Sequence, residues 1–272
     1  MSMAPAQVEA PDASVAFYDS IAPHYDEHLS AISGDAWVRA AFHAFVVKRV
    51  PPGAHLLDFG CGTGTDAVWY AAQGYSVVAY DNSAGMISEL QHKCAREIAQ
   101  GRVMSCYAPY GEFLAHSQVS CTHVTGIQAI TSNFAALNLI DPLAPLFAVF
   151  ASMLVPHGLV MVSVVNPFFW KEMIHPTWWR INRVNFKKRT VRPRESASNV
   201  VRHFVSRMDM AATSAFKRVD LASVGMFVRY GKVRDAWGQA TSLPARIESR
   251  LWRTPLINRT GKYLFLAYRR VT

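Results

Sequence analysis

What this 272-residue chain lacks narrows it first. Its four cysteines, Cys61, Cys94, Cys106 and Cys121, form no CxxC pair and stand at no histidine spacing suited to zinc. That excludes a zinc-built fold; reduced, mostly buried thiols and no bound metal are expected. The opening MSMAPAQVEAPDAS has neither a basic n-region nor an apolar h-region, so residues 1–16 read as a flexible tail and the protein as cytoplasmic. No unbroken apolar run spans a bilayer. Residues 142–165 are long enough, but Pro156-His157-Gly158 splits them. One half is Ala/Leu/Phe-rich and helical, the other β-branched and strand-like. Internal repeats and low-complexity tracts are also missing.

Negative charge is scarce in the second half. Residues 166–272 hold 22 Lys/Arg against 6 Asp/Glu, whereas residues 1–165 hold 6 against 13, within a total of +9. An asymmetry this large suggests that the second half meets something acidic.

What is present is a composition, 51% apolar and 17% charged, that suits one large globular domain or two small ones. Residues 17–50 read as a helical cap: SVAFYDSIAPHYDEHLS, restarted at Pro23, then DAWVRAAFHAFVVKRV, stopped by Pro51-Pro52-Gly53. Strands are expected at 55–59, 75–80, 102–107, 121–126 and 159–165, with helices through Ala72, over 83–100 and over 142–155. Ser83 caps the second of these helices and Gly101 stops it. Residues 166–205 are basic and aromatic with no clean period, and read as an inserted lid. A short helix after Ser206 follows, and FKRVDLASVGMF and KYLFLAYRR then close the sheet as an antiparallel pair. The fold class is α/β: a doubly wound, mostly parallel, seven-stranded Rossmann-like sheet in a single domain, 17–272, with the lid after the fifth strand. Ligands on such sheets sit at the carboxyl ends of the strands, near the switch point.

The loop after the first strand falls there. LLDFGCGTGTD, residues 56–66, places glycines at 60, 62 and 64. A dinucleotide-binding turn has its third small residue one position later, where this chain has Thr65. Asp58 and Asp66 flank the glycines. Like charges at ~4 Å and an effective dielectric of ~20 repel by roughly 4 kcal/mol, so a pyrophosphate is disfavoured and a cofactor with a cationic end is not. S-adenosylmethionine carries an ammonium and a sulfonium and no phosphate. Asp81, at the end of the second strand, can accept from both ribose hydroxyls. Met86, one turn later, can lay its thioether on the adenine.

LLDFGCGTGTDA followed by VVAYDNSAGM resembles motif I and the acidic second-strand motif of class I S-adenosylmethionine-dependent methyltransferases. FYDSIAPHYDEH is similar to the N-terminal segment of small-molecule members, including quinone C-methyltransferases, where tyrosines cap the cofactor. The resemblance covers residues 17–165 well and the closing strands loosely. It implies that Asp58, Gly60, Cys61, Gly62 and Gly64 line the methionine end, that Asp81 holds the ribose, and that Asn82 and Met86 sit at the adenine. Tyr18 and Tyr25 would cap the cofactor, and Ile127 and Gln128 would approach the transferable methyl. The family often has an Asp after the third strand that reads the adenine amino group. Here YAPYGEFL offers Tyr107, Tyr110 and Glu112 but no Asp, which leaves that contact to Tyr110 or the Gly111 backbone.

For the acceptor, NPFFW (166–170) resembles the Asn-Pro-Pro-Tyr-type motif of amino-group methyltransferases, but follows the fifth strand instead of the fourth. It reads as the turn that leads into the lid. There is no Pro-Cys dipeptide, which cytosine C5 enzymes need. Trp170, Trp178, Trp179 and Phe186 could enclose a flat organic acceptor. Arg180, Arg183, Lys187, Lys188 and Arg189 could neutralise its acidic groups or rest on a membrane carrying a lipid quinone. The expected function is methyl transfer from S-adenosylmethionine, leaving S-adenosylhomocysteine, to a small aromatic or acidic acceptor by a monomer or homodimer. RNA methylation, lipid-quinone C-methylation at a membrane surface and a non-catalytic cofactor-binding scaffold are the alternatives. Nucleic acid is disfavoured because no separate RNA-binding module is visible. His24, His175 and His203 are the candidate proton acceptors.

Overall fold

The computed structural model describes residues 12–27, 35–115, 126–182, 190–191, 200–212, 215–228, 237, 242–255 and 257–271. Seven strands form one sheet: β1 (His55–Phe59), β2 (Ser76–Asp81), β3 (Val103–Tyr107), β4 (Ile127–Ser132), β5 (Leu154–Val165), β8 (Phe216–Val224) and β9 (Tyr263–Arg270). Their order is β3-β2-β1-β4-β5-β9-β8. β1 to β5 run parallel, and β9 is antiparallel to both β5 and β8. Two short strands, β6 (Thr190–Val191) and β7 (Arg202–His203), pair separately. The parallel strands are near-continuous apolar runs because both faces are covered. Along β1, Leu56 joins a core with Phe42, Phe45, Tyr70 and Leu90, while Leu57 and Phe59 join Phe113, Phe147 and Phe150 on the other face. The chain reverses its winding direction between β1 and β4, so a crevice opens at their carboxyl ends.

Three expectations change. The fourth strand is Ile127–Ser132, not 121–126, of which 121–125 lie outside the described residues. Both stretches are β-branched, and Gly126, at φ +81°, divides them. Pairing decides: Ala129, Ile130 and Thr131 align with Leu56, Leu57 and Asp58, which buries all three. The first helix, Asp12–Ile21, begins inside the segment read as tail. Ser14, Tyr18 and Ala22, spaced four apart, share the face turned toward protein. Cys61 and Cys94 are free thiols as expected, but Cys106 is disulfide-bonded, to a partner outside the described residues. Among the described residues no helix is long and apolar enough to cross a membrane. Residues 142–165 divide instead into the helix Ala144–Met153 and β5.

Candidate active site

The three glycines of the loop after β1 all adopt positive φ, +72°, +54° and +81°, a region costly for residues with a Cβ. The loop is pinned to the end of β2, where the Gly60 and Cys61 amides donate to the Tyr80 carbonyl at 2.8 and 3.0 Å. The glycines do different work. A Cβ on Gly60 would lie 2.6 Å from that of Ala136, and one on Gly64 would lie 2.7 Å from Leu90 Cγ, so these two permit protein packing. A Cβ on Gly62 would meet only Tyr25 Cε1 at 3.9 Å and Met86 Sδ at 4.0 Å. Gly62 therefore faces a gap walled by an aromatic ring and a thioether.

Asp81 stands beside the gap. Its Oδ2 accepts from the Gly62 amide at 2.9 Å and its Oδ1 from the Ser83 amide at 3.0 Å. Burial raises its pKa, against the pull of these amides. Ser83 caps the helix Ala84–Lys93 by accepting from the Met86 amide. The N-terminal segment closes over the same place. Asp19 Oδ1 accepts from Ser83 Oγ (2.5 Å) and the Gly85 amide (2.9 Å), while Asp26 accepts from Thr63 Oγ1 at 2.7 Å and pairs with Lys93. Tyr18 and Tyr25 meet edge to face at 6.3 Å. The Tyr18 phenol is pushed up by burial and by the charge of Asp81.

Beneath the loop lies a charge network that the sequence did not reveal. Asp66 is buried, with Arg39 Nη1 2.6 Å from its Oδ2, His43 Nε2 2.6 Å from its Oδ1, and Asn133 Nδ2 donating at 3.2 Å. Burial pushes the Asp66 carboxyl up, but Arg39 and His43 outweigh it and hold it well below the usual range. His43 also stacks on Trp69 at 3.7 Å. Asp58 is treated differently. Its Oδ1 accepts from Thr131 Oγ1 at 3.0 Å, and its buried Oδ2 has no partner among the described residues. Burial, and then the charge of Asp66, raise its pKa well above that of an ordinary carboxylate. A cation or hydrogen-bond donor beside Oδ2 would favour the ionised form.

The carboxyl end of β4 supplies the other wall. Phe134 and Ala135 both adopt left-handed φ, +48° and +67°, though neither is glycine. Such strain costs of order 1–3 kcal/mol per residue and clusters at functional sites. It is held by the Asn133 side-chain Oδ1, which accepts from the Phe134 amide at 2.8 Å, and by the Ala135 amide, which donates to the Ser163 carbonyl at 3.0 Å. The Phe134 ring lies under the Arg39 guanidinium (4.5 Å) and edge-on to Tyr263 (6.3 Å). Asp35, at the start of the helix Asp35–Val47, is buried nearby. Burial pushes its carboxyl up to about 6, against the attraction of Arg39 and Lys262.

Comparison with known proteins decides what this arrangement belongs to. The family model described as a methyltransferase domain matches residues 35–204. The chain belongs to the methyltransferase-domain family. Demethylmenaquinone methyltransferase of Renibacterium salmoninarum is 41% identical over 80 residues, 28% of this chain and 32% of that protein; its counterpart in a Parafrankia species is 33% identical over 88 residues, 31% and 34%. The chain thus spans about a third of the length of the curated relatives it matches. Two solved structures share the fold at low identity. A methyltransferase in complex with the Trm112 activator of Haloferax volcanii has a TM-score of 0.58 and 12% identity over 94% of this chain and 98% of that one. A TehB-like enzyme from Corynebacterium glutamicum has 0.54 and 13% over the same shares. The chain thus carries a methyltransferase domain on a Rossmann-like fold.

S-adenosylmethionine, the donor expected from the sequence, fits the residues present. The Gly62 gap admits close backbone approach, and Asp58 Oδ2 is a buried acceptor suited to an ammonium. The structure brings Tyr18, Tyr25, Gly62, Asp81 and Met86 together around that gap, with half-buried Asn82 between Asp81 and the helix they border, and Gly60, Gly64 and half-buried Cys61 shaping the loop. Tyr110 follows β3 but its ring is part of the apolar core, while Gly111 is exposed.

Ile127 and Gln128 are misplaced in the sequence reading. They begin β4 instead of following it, so they lie at the opposite, amino end of the parallel strands. Ile127 is wholly buried there, and Gln128 Oε1 accepts from the His55 amide at the start of β1. The three histidines also lie apart from the gap. His24 is solvent-exposed beside Glu27, and His175 is exposed. His203 is buried, bonded to the Ile140 carbonyl at 2.8 Å and pushed down in pKa by burial. In the segment expected to be a lid, Trp170, Trp179 and Arg180 are exposed and Trp178 is buried near Phe168. Arg183, Phe186, Lys187, Lys188 and Arg189 lie outside the described residues. Asn166 of NPFFW is a turn residue, its amide group donating to the Arg259 and Gly261 carbonyls.

Proposed function

We propose that this methyltransferase acts on a small aromatic or acidic acceptor seated against Phe134 and Tyr263, across Tyr25 from the Gly62 gap. The observation that carries the reading is the pair of left-handed residues after β4, whose strain sets the Phe134 ring between Arg39 and Tyr263. When bound, the cofactor supplies an electrophilic methyl group on a cationic sulfur. Asp81 would hold its ribose, Met86 and Asn82 its adenine, and Asp58 with the glycine loop its methionine end. Tyr18 and Tyr25 exclude water, which suits a displacement that depends on proximity and desolvation. Arg39 places positive charge over the aromatic shelf, favouring an anionic or electron-rich ring. Asp35 takes the place that no histidine fills: ionised at neutral pH, it accepts a proton from an acceptor hydroxyl.

The match to demethylmenaquinone methyltransferases favours one narrower reading, a reduced quinone as acceptor, because such a quinol is a flat phenol. The discriminating experiment incubates the protein with labelled S-adenosylmethionine and either a naphthoquinol or a set of phenolic acids, and reads products by mass spectrometry. Rates should fall below about pH 6 as Asp35 protonates, and Asp35→Asn should remove that acidic limb along with most of the rate. Methylation of RNA, with no aromatic acceptor modified, would overturn the proposal.

A further inference from the structure

The basic half of the chain contains a cluster that methyl transfer does not use. β8 is the edge of the sheet, paired only to β9 among the described residues. Four strand spacings separate it from β1, about 19 Å. Its pairing slips between Arg218 and Asp220, leaving Val219 as an extra, exposed residue. A bulge of this kind re-aims the side chains beside it. Arg218 keeps to one face, where its Nε donates to Asp209 at 2.9 Å alongside the Tyr268 hydroxyl. Asp220, one register step later, turns to the other face and meets Arg49 and Arg253.

A cavity of about 690 Å³ opens there, lined by Arg218, Asp220, Arg253, Asn258 and Arg259 among others. Pockets of about 300–1,000 Å³ are the range that holds small ligands. Four guanidiniums surround it, counting Arg49 behind Asp220, and the two carboxylates beside them are already engaged. Asp220 Oδ1 accepts from the Leu221 amide at 2.7 Å, and its Oδ2 serves Arg49 and Arg253 at once. Asp209 serves Arg218 and Tyr268. The buried Nε of Arg253 has no acceptor among the described residues, and a buried donor of a charged group is costly to leave unmet. Burial, and then the like charge of Arg253, depress the pKa of Arg49 to about 10. The cluster carries more positive charge than its own carboxylates neutralise.

We propose that the cavity beside β8 is a second binding site, separate from the cofactor gap, for the phosphate group of a small phosphorylated molecule. A phosphate offers several acceptor oxygens to forked guanidiniums, which one shared carboxylate cannot. The volume leaves room for the organic part that carries it.

The test is calorimetry and thermal unfolding of the full chain with pyrophosphate and with ribose 5-phosphate, each with and without saturating S-adenosylhomocysteine. At least one probe should bind and raise the melting temperature, and S-adenosylhomocysteine should leave its affinity unchanged. Arg253→Gln should weaken that binding about tenfold or more while S-adenosylhomocysteine still binds normally. Arg259→Gln, on an exposed side chain, gives the same reading should Arg253→Gln fail to fold. The proposal is overturned if neither probe binds at about 10 mM, if S-adenosylhomocysteine displaces them, or if both variants bind them as the wild type does. It is equally overturned if a structured RNA binds far more tightly than either probe and loses that binding in Arg253→Gln.

Discussion

The acidic and basic halves of this chain spend their charges differently. In the acidic half, several carboxylates are fixed to particular partners close to the cofactor gap: Asp19 to Ser83 and Gly85, Asp26 to Thr63 and Lys93, Asp66 to Arg39 and His43, Asp81 to Gly62 and Ser83. In the basic half, Arg180 is exposed, and the arginines that crowd together do so at the sheet edge. Uneven net charge therefore does not by itself locate the acceptor. Arg39, one of the few cations of the acidic half, lies half-buried against Asp66 and Phe134, whereas Arg180 beyond residue 166 is exposed.

The sharpest way to break this contrast is Gly62→Val. Its side chain would fill the gap between Tyr25 and Met86, so S-adenosylhomocysteine binding should vanish in calorimetry. A non-glycine residue at left-handed φ costs roughly 1–2 kcal/mol, so the melting temperature should fall by only several degrees. Gly60→Val, driven against Ala136, should lower it much further. Equal losses of stability in the two variants would erase the distinction between them.

Next comes Arg39→Ala, which leaves Asp66 buried with one fewer cation and should cost about 3–5 kcal/mol of unfolding free energy in denaturant titration. A cost near zero would mean that His43 alone neutralises the carboxylate. Asp81→Ala should weaken cofactor binding by roughly 1.5–3 kcal/mol, and unchanged affinity would move the ribose elsewhere. The smallest effect is expected of Arg180→Gln, an exposed change worth within about ±0.5 kcal/mol in stability and little in acceptor KM. A tenfold rise in KM would return the lid to the acceptor site.

How much was legible depended on whether the signal was local. The glycine spacing, Asp81 and Met86 sit within a few residues of strand ends, so their places followed from β1 and β2. The fourth strand did not, because CTHVTG and IQAITS carry the same pattern and only pairing with β1 chooses between them. That single slip placed the residues expected near the transferable methyl, Ile127 and Gln128, at the start of β4 instead of beyond its carboxyl end. Arg39 and His43 were readable as neighbours four apart on a helix. Their partner Asp66, 23 residues beyond His43, was not, since helix faces meet only in the folded chain. The histidines attracted attention by their chemistry alone; His24 and His175 are exposed, and His203 is buried against the Ile140 carbonyl.

The N-terminal segment over the gap is fastened by polar threads, from Asp19 and Asp26 to Ser83, Gly85, Thr63 and Lys93, beside the buried Ala22 and the Tyr18–Tyr25 pair, while Phe17 is left in solvent. Hydrogen bonds of this kind are worth about 0.5–1.5 kcal/mol each, more when charged, and they exchange readily with water. Such a door swings on a latch, not on a weld. Loss of those few bonds would open the gap with the sheet and its buried Asp66 network untouched, and salt should weaken the Asp26–Lys93 pair more than the core.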